Sequence, residues 1–517
     1  MHKAIMNKSR KPLPDAMVAP GASTALVALV ASAMLGACAN HGTDYQRPPL
    51  ELPALWDNSG SAASTATKTP TQWWKMFNDP ALDALIDEAL QHNRDIKAAA
   101  ARIDEARANV IVTDADRWPT IYGTANTART QITQRGATPL FPSVPVESSN
   151  NRITLAASYE TDFWGKYTRA TEAARAELLR TEAARDAVRL SLIADIVSGY
   201  FSLVSLDGQS QAALRTYATR DELAGLQAKR FAAGVASELE VRTTEAEREA
   251  ARVQQIAITR ARAREDARLA VLLGRSPRDV WEKRVSAATQ SEASAQSVPP
   301  TEPVLTQVPV QVLVQVLVQV LVPEGLPSDL LQRRPDLREA EQRLIAATAR
   351  IGAIKAAYFP SITLTTFLGT ESAALGNLFS GPALVWQLAA ALTQPIWGAG
   401  RTDAQLSAAT ARQREALANY EKAVQSAFAD VRVALAAHQA ARETFEAQSR
   451  RSAALAQAHK LARLRYDNGV SSLLEVLDAE RNLLAAELSR LDAQAQQRAA
   501  VADLVKALGG GWDKPNT

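Results

Sequence analysis

From Asp79 to Asp116, alanine, isoleucine and valine recur at three- and four-residue steps, the spacing that gathers apolar side chains on one helical face. Pro119 ends that pattern. Over about Thr120–Thr133 and about Arg152–Phe163 the reading changes to strand; in the second stretch Ile153, Leu155, Ala157 and Tyr159 alternate with polar neighbours. The Pro/Gly/Ser-rich run Gln134–Asn150 between them predicts a loop. From Gly165 to Ala233 only isolated glycines interrupt a helical pattern, and Val188, Leu192, Ile196 and Leu203 share one face.

The second half repeats this plan. Strands are predicted over about Ser361–Thr370 and about Ala383–Gln394, where Leu384, Trp386, Leu388, Ala390 and Leu392 form one face. A long helix follows over about Arg401–Asn468, with Leu417, Tyr420, Val424, Phe428, Val431 and Leu435 as its packing stripe. After Gly469 a return helix carries Leu473, Leu477, Leu484, Leu488 and Leu491 at near-heptad spacing. The punctuation matches as well. Arg230-Phe-Ala-Ala-Gly234-Val-Ala-Ser-Glu-Leu239-Glu-Val241 aligns with Arg465-Tyr-Asp-Asn-Gly469-Val-Ser-Ser-Leu-Leu474-Glu-Val476, and Phe163-Trp-Gly-Lys166 with Ile396-Trp-Gly-Ala399. Arg117-Trp-Pro-Thr120 aligns with Tyr358-Phe-Pro-Ser361, and Asp95 with Asp336. The chain is a tandem repeat of one unit.

Each long helix has about 70 residues, roughly 100 Å at about 1.5 Å per residue. No compact core wraps such a helix, so it must pack laterally on similar ones. The strands have the length a tilted membrane strand needs. Aromatic residues cluster at their ends (Trp118, Tyr122, Tyr159, Trp164, Phe359, Trp397), as in an interfacial girdle. Four strands cannot close a barrel, and an open edge in lipid leaves backbone groups unpaired at several kcal/mol each. The smallest membrane barrels have about eight strands. The protomer must therefore oligomerise, and three copies would supply twelve strands. Soluble hairpins on a periplasmic coiled-coil rod are the competing reading.

Composition narrows the classes. Charged residues are 22% of the chain and the net charge is only +3, so there is no electrostatic footprint for nucleic acid. The five histidines form no metal-binding or triad-like cluster in sequence, and no phosphate-binding glycine loop occurs. An enzyme is not indicated, and no cofactor is called for. The N-terminus is more telling. Lys3, Lys8, Arg10 and Lys11 precede an apolar stretch from Ala22 to Met34, and Leu35-Gly36-Ala37 leads into Cys38, the single cysteine. This looks like a bacterial lipobox, in which Cys38 would carry covalent diacylglycerol and an N-acyl chain; an ordinary signal peptide is the alternative. Acyl chains would hold the mature N-terminus durably on a membrane. Ala39, where retention signals often place Asp, favours the outer membrane.

These features, with Gly325-Leu-Pro-Ser-Asp-Leu-Leu-Gln-Arg-Arg-Pro-Asp336 and Tyr466-Asp-Asn-Gly-Val470, resemble the TolC/OprM-like outer-membrane efflux proteins, in their lipoprotein (NodT-type) branch. The resemblance implies an α+β membrane protein, lipid-anchored in the outer membrane: a homotrimer whose twelve-stranded β-barrel continues into a long periplasmic α-helical barrel. It implies a passive exit duct for drugs or other small molecules, working with a periplasmic adaptor and an inner-membrane pump of the resistance-nodulation-division class. The exit channel of a type I protein-secretion system shares this fold and stays open as an alternative. The expected layout is a signal peptide over 1–37, an anchor and equatorial segment over 38–78 and a first repeat over 79–275. A linker over 276–328, a second repeat over 329–508 and a tail over 509–517 complete it. The resemblance also places the Gly234-Val235 and Gly469-Val470 turns at the periplasmic tip, where they would touch the adaptor. Leu474, Asp478 and Arg481, spaced to share one helical face, match the family's periplasmic gate. The Gln-Val-Leu-Val tandem within Val308–Val322 departs from the family pattern and reads as an expanded linker, with a strand added to the equatorial region as the alternative.

Overall fold

The computed structural model describes residues 44–53, 72–136, 145–283, 285 and 330–510. The signal segment, Cys38 and the Val308–Val322 tandem lie outside the described residues. The chain divides into two compact units. One holds Asp44 with residues in Thr113–Thr171 and Ala349–Ala409; the other holds residues in Tyr45–Val112, Glu172–Thr348 and Thr410–Thr517.

The first unit is built on a four-stranded antiparallel sheet in the order β1-β2-β3-β4, with β1 Thr120–Gln131, β2 Glu147–Glu160, β3 Ser361–Ser372 and β4 Leu384–Thr393. Each repeat contributes one hairpin, and β2 pairs with β3 to join them. Among the described residues β1 and β4 each pair along one side only. The register places Leu155, Leu368 and Trp386 in one row, and Tyr159, Leu364 and Ala390 in another. This apolar face is bare: Leu155, Leu368, Trp386 and Leu388 are each more than half exposed. A soluble sheet would bury such a face, whereas a membrane strand turns it to lipid. The opposite face carries Thr124 beside Thr154, their hydroxyls 2.9 Å apart, and Arg152 beside Glu371. Tyr122, expected in the girdle, stands on this polar face, opposite Ala156. At the sheet's end Trp164 stacks on Phe359 with centroids 4.7 Å apart, and its indole N–H donates to the Pro360 carbonyl at 2.7 Å.

The second unit is helical. The single helix expected over 79–116 is two, α1 Pro80–His92 and α2 Arg94–Ala115. Asn93 breaks it. Its backbone is extended (ψ 135°), and its side-chain oxygen accepts from the amides of Asp95 and Ile96, restarting the helix. Two long hairpins follow: α3 Lys166–Ala232 with α4 Glu238–Leu272, and, after the short helices α5 Pro277–Glu282, α6 Leu330–Arg333 and α7 Pro335–Lys355, α8 Arg401–Asp467 with α9 Leu473–Ala507. Two cores form. Trp73, Trp74, Leu82 and Ile86 pack with Ile196, Tyr200 and Leu203 of α3, and Leu337 and Leu344 pack with Tyr420, Val424 and Val431 of α8. The end of α9 serves both, with Val501 and Val505 in the first and Leu504 and Leu508 in the second. Part of α3 is apolar enough to cross a membrane by composition, but more than half of that stretch is buried in the protein, where it supplies the first core. Along the middle of α9 Ala486 and Ala493 are buried, while Leu484, Leu488 and Leu491 are only half-buried. Small residues at the seam let helix backbones approach closely, so the leucines flank the contact.

Candidate functional site

The turn that ends each long helix is built identically. Gly234 (φ 74°) and Gly469 (φ 71°) are left-handed, a conformation that a Cβ disfavours. The Gly234 amide donates to the Phe231 carbonyl and the Val235 amide to Arg230, both at 2.9 Å; Gly469 and Val470 repeat this with Tyr466 and Arg465. This Schellman arrangement stops the helix and projects the following valine. Val235 is 74% exposed and Val470 67%. The two turns are neighbours, since the Arg230 guanidinium donates to the Tyr466 hydroxyl at 3.4 Å. They differ in how the return helix begins. Ser237 caps α4 in a reciprocal capping box with Glu240, while Ser472 makes no side-chain cap on α9.

Beyond the second turn, α9 buries Leu473, Val476 and Leu477 and leaves Leu474, Asp478 and Arg481 outside, so these three do occupy one exposed face. The Asp478 carboxylate accepts from Arg481 at 2.5 Å and from the Asn482 amide at 3.1 Å. In the first repeat the same place holds Leu239 and Thr243, and the Thr243 hydroxyl donates back to the Leu239 carbonyl. That face carries an apolar knob without the acid.

Sequence reasoning missed what lies behind Arg481. Its guanidinium reaches Glu247 of α4 at 3.6 Å, and Glu247 pairs at 3.0 Å with Arg220 of α3. Arg220 is 4% exposed and lies 3.9 Å from Glu480 of α9. Its Nε and Nη2 find no hydrogen-bond partner. Burial pushes the Glu480 carboxyl up, Arg220, His459 and Arg463 pull it down, and Glu247 adds to the rise; the net shift is upward. All four hairpin helices thus contribute charge to one cluster. Nothing in the local pattern distinguishes these charges from a solvated face, because the partners are remote in sequence.

A second buried cation sits in the Arg-Arg-Pro-Asp motif. Arg334 donates to Asp336 at 2.7 Å and to Asp430 at 2.9 Å, and to the carbonyl of Ala507 at 3.0 Å. Among the described residues no His, Cys, Asp and Glu group is arranged to hold a metal ion.

Comparison with known proteins agrees along nearly the whole chain. The family described as "Outer membrane efflux protein" matches residues 85–275 and 326–510. The solvent efflux pump outer membrane protein SrpC of Pseudomonas putida is 34% identical over 492 residues, 93% of this chain and 96% of that one. The probable outer membrane lipoprotein SilC of Salmonella typhimurium is 32% identical over 481 residues, 93% and 97% of the two chains. Among solved structures, the CmeC outer membrane channel of Campylobacter jejuni superposes with a TM-score of 0.81 at 25% identity, covering 92% of this chain and 96% of that one.

Proposed function

Because this chain belongs to the outer membrane efflux protein family and is an outer-membrane efflux channel component, we propose that three copies close one β-barrel and one helical duct through which small molecules leave the periplasm. The observation that carries the closure is the sheet: an exposed apolar face and two half-paired edges, which neither water nor lipid tolerates in a lone copy. The coiled-coil rod accounts for the helices and leaves that face unexplained. The duct makes and breaks no bonds, so it works without catalysis, and the energy comes from an inner-membrane pump of the resistance-nodulation-division class. A periplasmic adaptor docks on the Gly234-Val235 and Gly469-Val470 turns, whose exposed valines suit a helix-hairpin partner.

Leu474, Asp478 and Arg481 form the periplasmic gate. Copies of Asp478 gathered at an axis would favour cations and resist anions. Cys38 carries the acyl anchor. Its support is Asp44, which pairs at 2.7 Å with Arg169 near the Trp164–Phe359 stack. Six residues span at most about 20 Å, which keeps Cys38 within reach of that aromatic level. The test is purification of the lipid-modified chain from outer membranes. Cross-linking should trap a trimer, and planar bilayers should show ion current. A stable water-soluble monomer without current ends this reading.

A further inference from the structure

On the polar face of the sheet, side chains are mainly hydroxyls, amides and alanines. Apart from Glu160 at the end of β2, which pairs with Lys166 at 3.0 Å, this face holds one cation and one anion, Arg152 on β2 and Glu371 directly opposite, one residue from the end of β3. They are 3.7 Å apart and each about a third exposed, so water reaches both. Each is held in place. The Asn150 amide donates to Glu371 at 3.0 Å, and the Arg152 guanidinium lies 4.2 Å over the Phe367 ring. Phe367 stands four residues along β3 from Glu371, and the residue between them on the same face is Gly369. A Cβ at Gly369 would fall 2.0 Å from the Ile153 carbonyl oxygen, so the strands approach too closely there for any side chain. The gap lets Arg152 lie along the wall to reach the ring.

We infer that Arg152 and Glu371 are the charge-determining pair of the duct inside the membrane: a fixed cation and a fixed anion that cancel on an otherwise neutral wall, so that this segment admits solutes of either sign. The inference rests on the barrel reading, which makes the polar face the lumen. It is separate from the carboxylates proposed for the periplasmic gate. Each partner alone would leave one uncompensated charge per copy on a water-filled wall, where a neighbouring ion in high dielectric changes its occupancy by a small factor. Removing both restores neutrality, and that is the signature a merely structural pair lacks.

Reversal potentials in a salt gradient test this in planar bilayers, on the full chain with Leu474→Ala and Asp478→Ala so that the periplasmic residues do not set the preference. Glu371→Gln should raise the anion-to-cation permeability ratio by about two- to fourfold, Arg152→Gln should lower it by a similar factor, and the double substitution should return it to the parent value. Thiol labelling tests the barrel reading separately. A membrane-impermeant cationic thiol reagent should modify Arg152→Cys and Gln387→Cys, both on the polar face, and spare Ile153→Cys, with the unsubstituted chain as blank. Labelling as expected with unmoved reversal potentials overturns the charge pair and leaves the duct intact. Labelling of Ile153→Cys with sparing of the other two inverts the faces and removes both readings.

Discussion

The two repeats solve one structural problem with different chemistry. In the first, the end of α4 is tied to the start of α2 by Asn93, whose amide donates to the Leu272 carbonyl at 2.8 Å. In the second, the corresponding carbonyl of Ala507 at the end of α9 takes its bond from Arg334, which also binds Asp336 and Asp430. A neutral amide closes one repeat and a buried cation with two acids closes the other. The turns diverge in the same direction. After Gly234 the exposed face offers Leu239 and Thr243; after Gly469 it offers Leu474, Asp478 and Arg481. Duplication kept the backbone solutions and let one copy accumulate charge.

The sharpest way to break this comparison is to remove the two ties. Arg334→Ala leaves the Ala507 carbonyl without its donor, while Asp336 and Asp430, each about half exposed, stay solvated, so the cost should be about 2–3 kcal/mol. Asn93→Ala loses one tie and a helix cap, about 1–2 kcal/mol. Urea or heat dissociation of the purified assembly ranks them, and equal losses would mean the ties are equivalent. Next in size is the gate. Leu474→Ala with Asp478→Ala should raise single-channel conductance, whereas Leu239→Ala with Thr243→Ala should change it far less. Equal increases would erase the asymmetry, and no change in either would remove these residues from the gate.

A smaller effect comes from Glu480, whose carboxyl is held above its ordinary value chiefly by burial. A raised carboxyl favours the folded state when protonated, so its contribution is fully present below the unfolded value and is lost as pH rises through the folded one. Glu480→Gln should therefore gain relative stability at neutral pH, with the gain shrinking as pH falls through the raised folded value toward the ordinary glutamate range. The smallest concerns His438, buried and held below its ordinary value by burial and then by Arg442. Here stability is present above the unfolded value and is lost as pH falls through the folded one. His438→Gln should blunt the loss of stability below about pH 6 in thermal melts.

Much of the fold was legible because its signals are local and periodic. The strands fell within a few residues of their predicted ends, apart from an earlier start of β2, and Gly234 and Gly469 marked both turns. What escaped depends on remote partners. Asn93 looks like a tolerable helix residue until Leu272 is beside it, and Arg220, Glu247 and Glu480 look like surface charges until three helices enclose them. The leucine stripe of α9 is buried only at its start, Leu473 and Leu477; further along, Leu484, Leu488 and Leu491 are half-buried beside the buried Ala486 and Ala493.

The free edges of the sheet belong to different repeats, β1 to the first and β4 to the second. A copy therefore cannot meet another face to face across a two-fold axis and satisfy both edges. Each must hand its β4 to the β1 of the next, head to tail, and only a rotation that closes on itself leaves no strand bare. Subunit number is then a matter of arithmetic in backbone hydrogen bonds, and a bend introduced at either edge would yield open filaments in place of a ring.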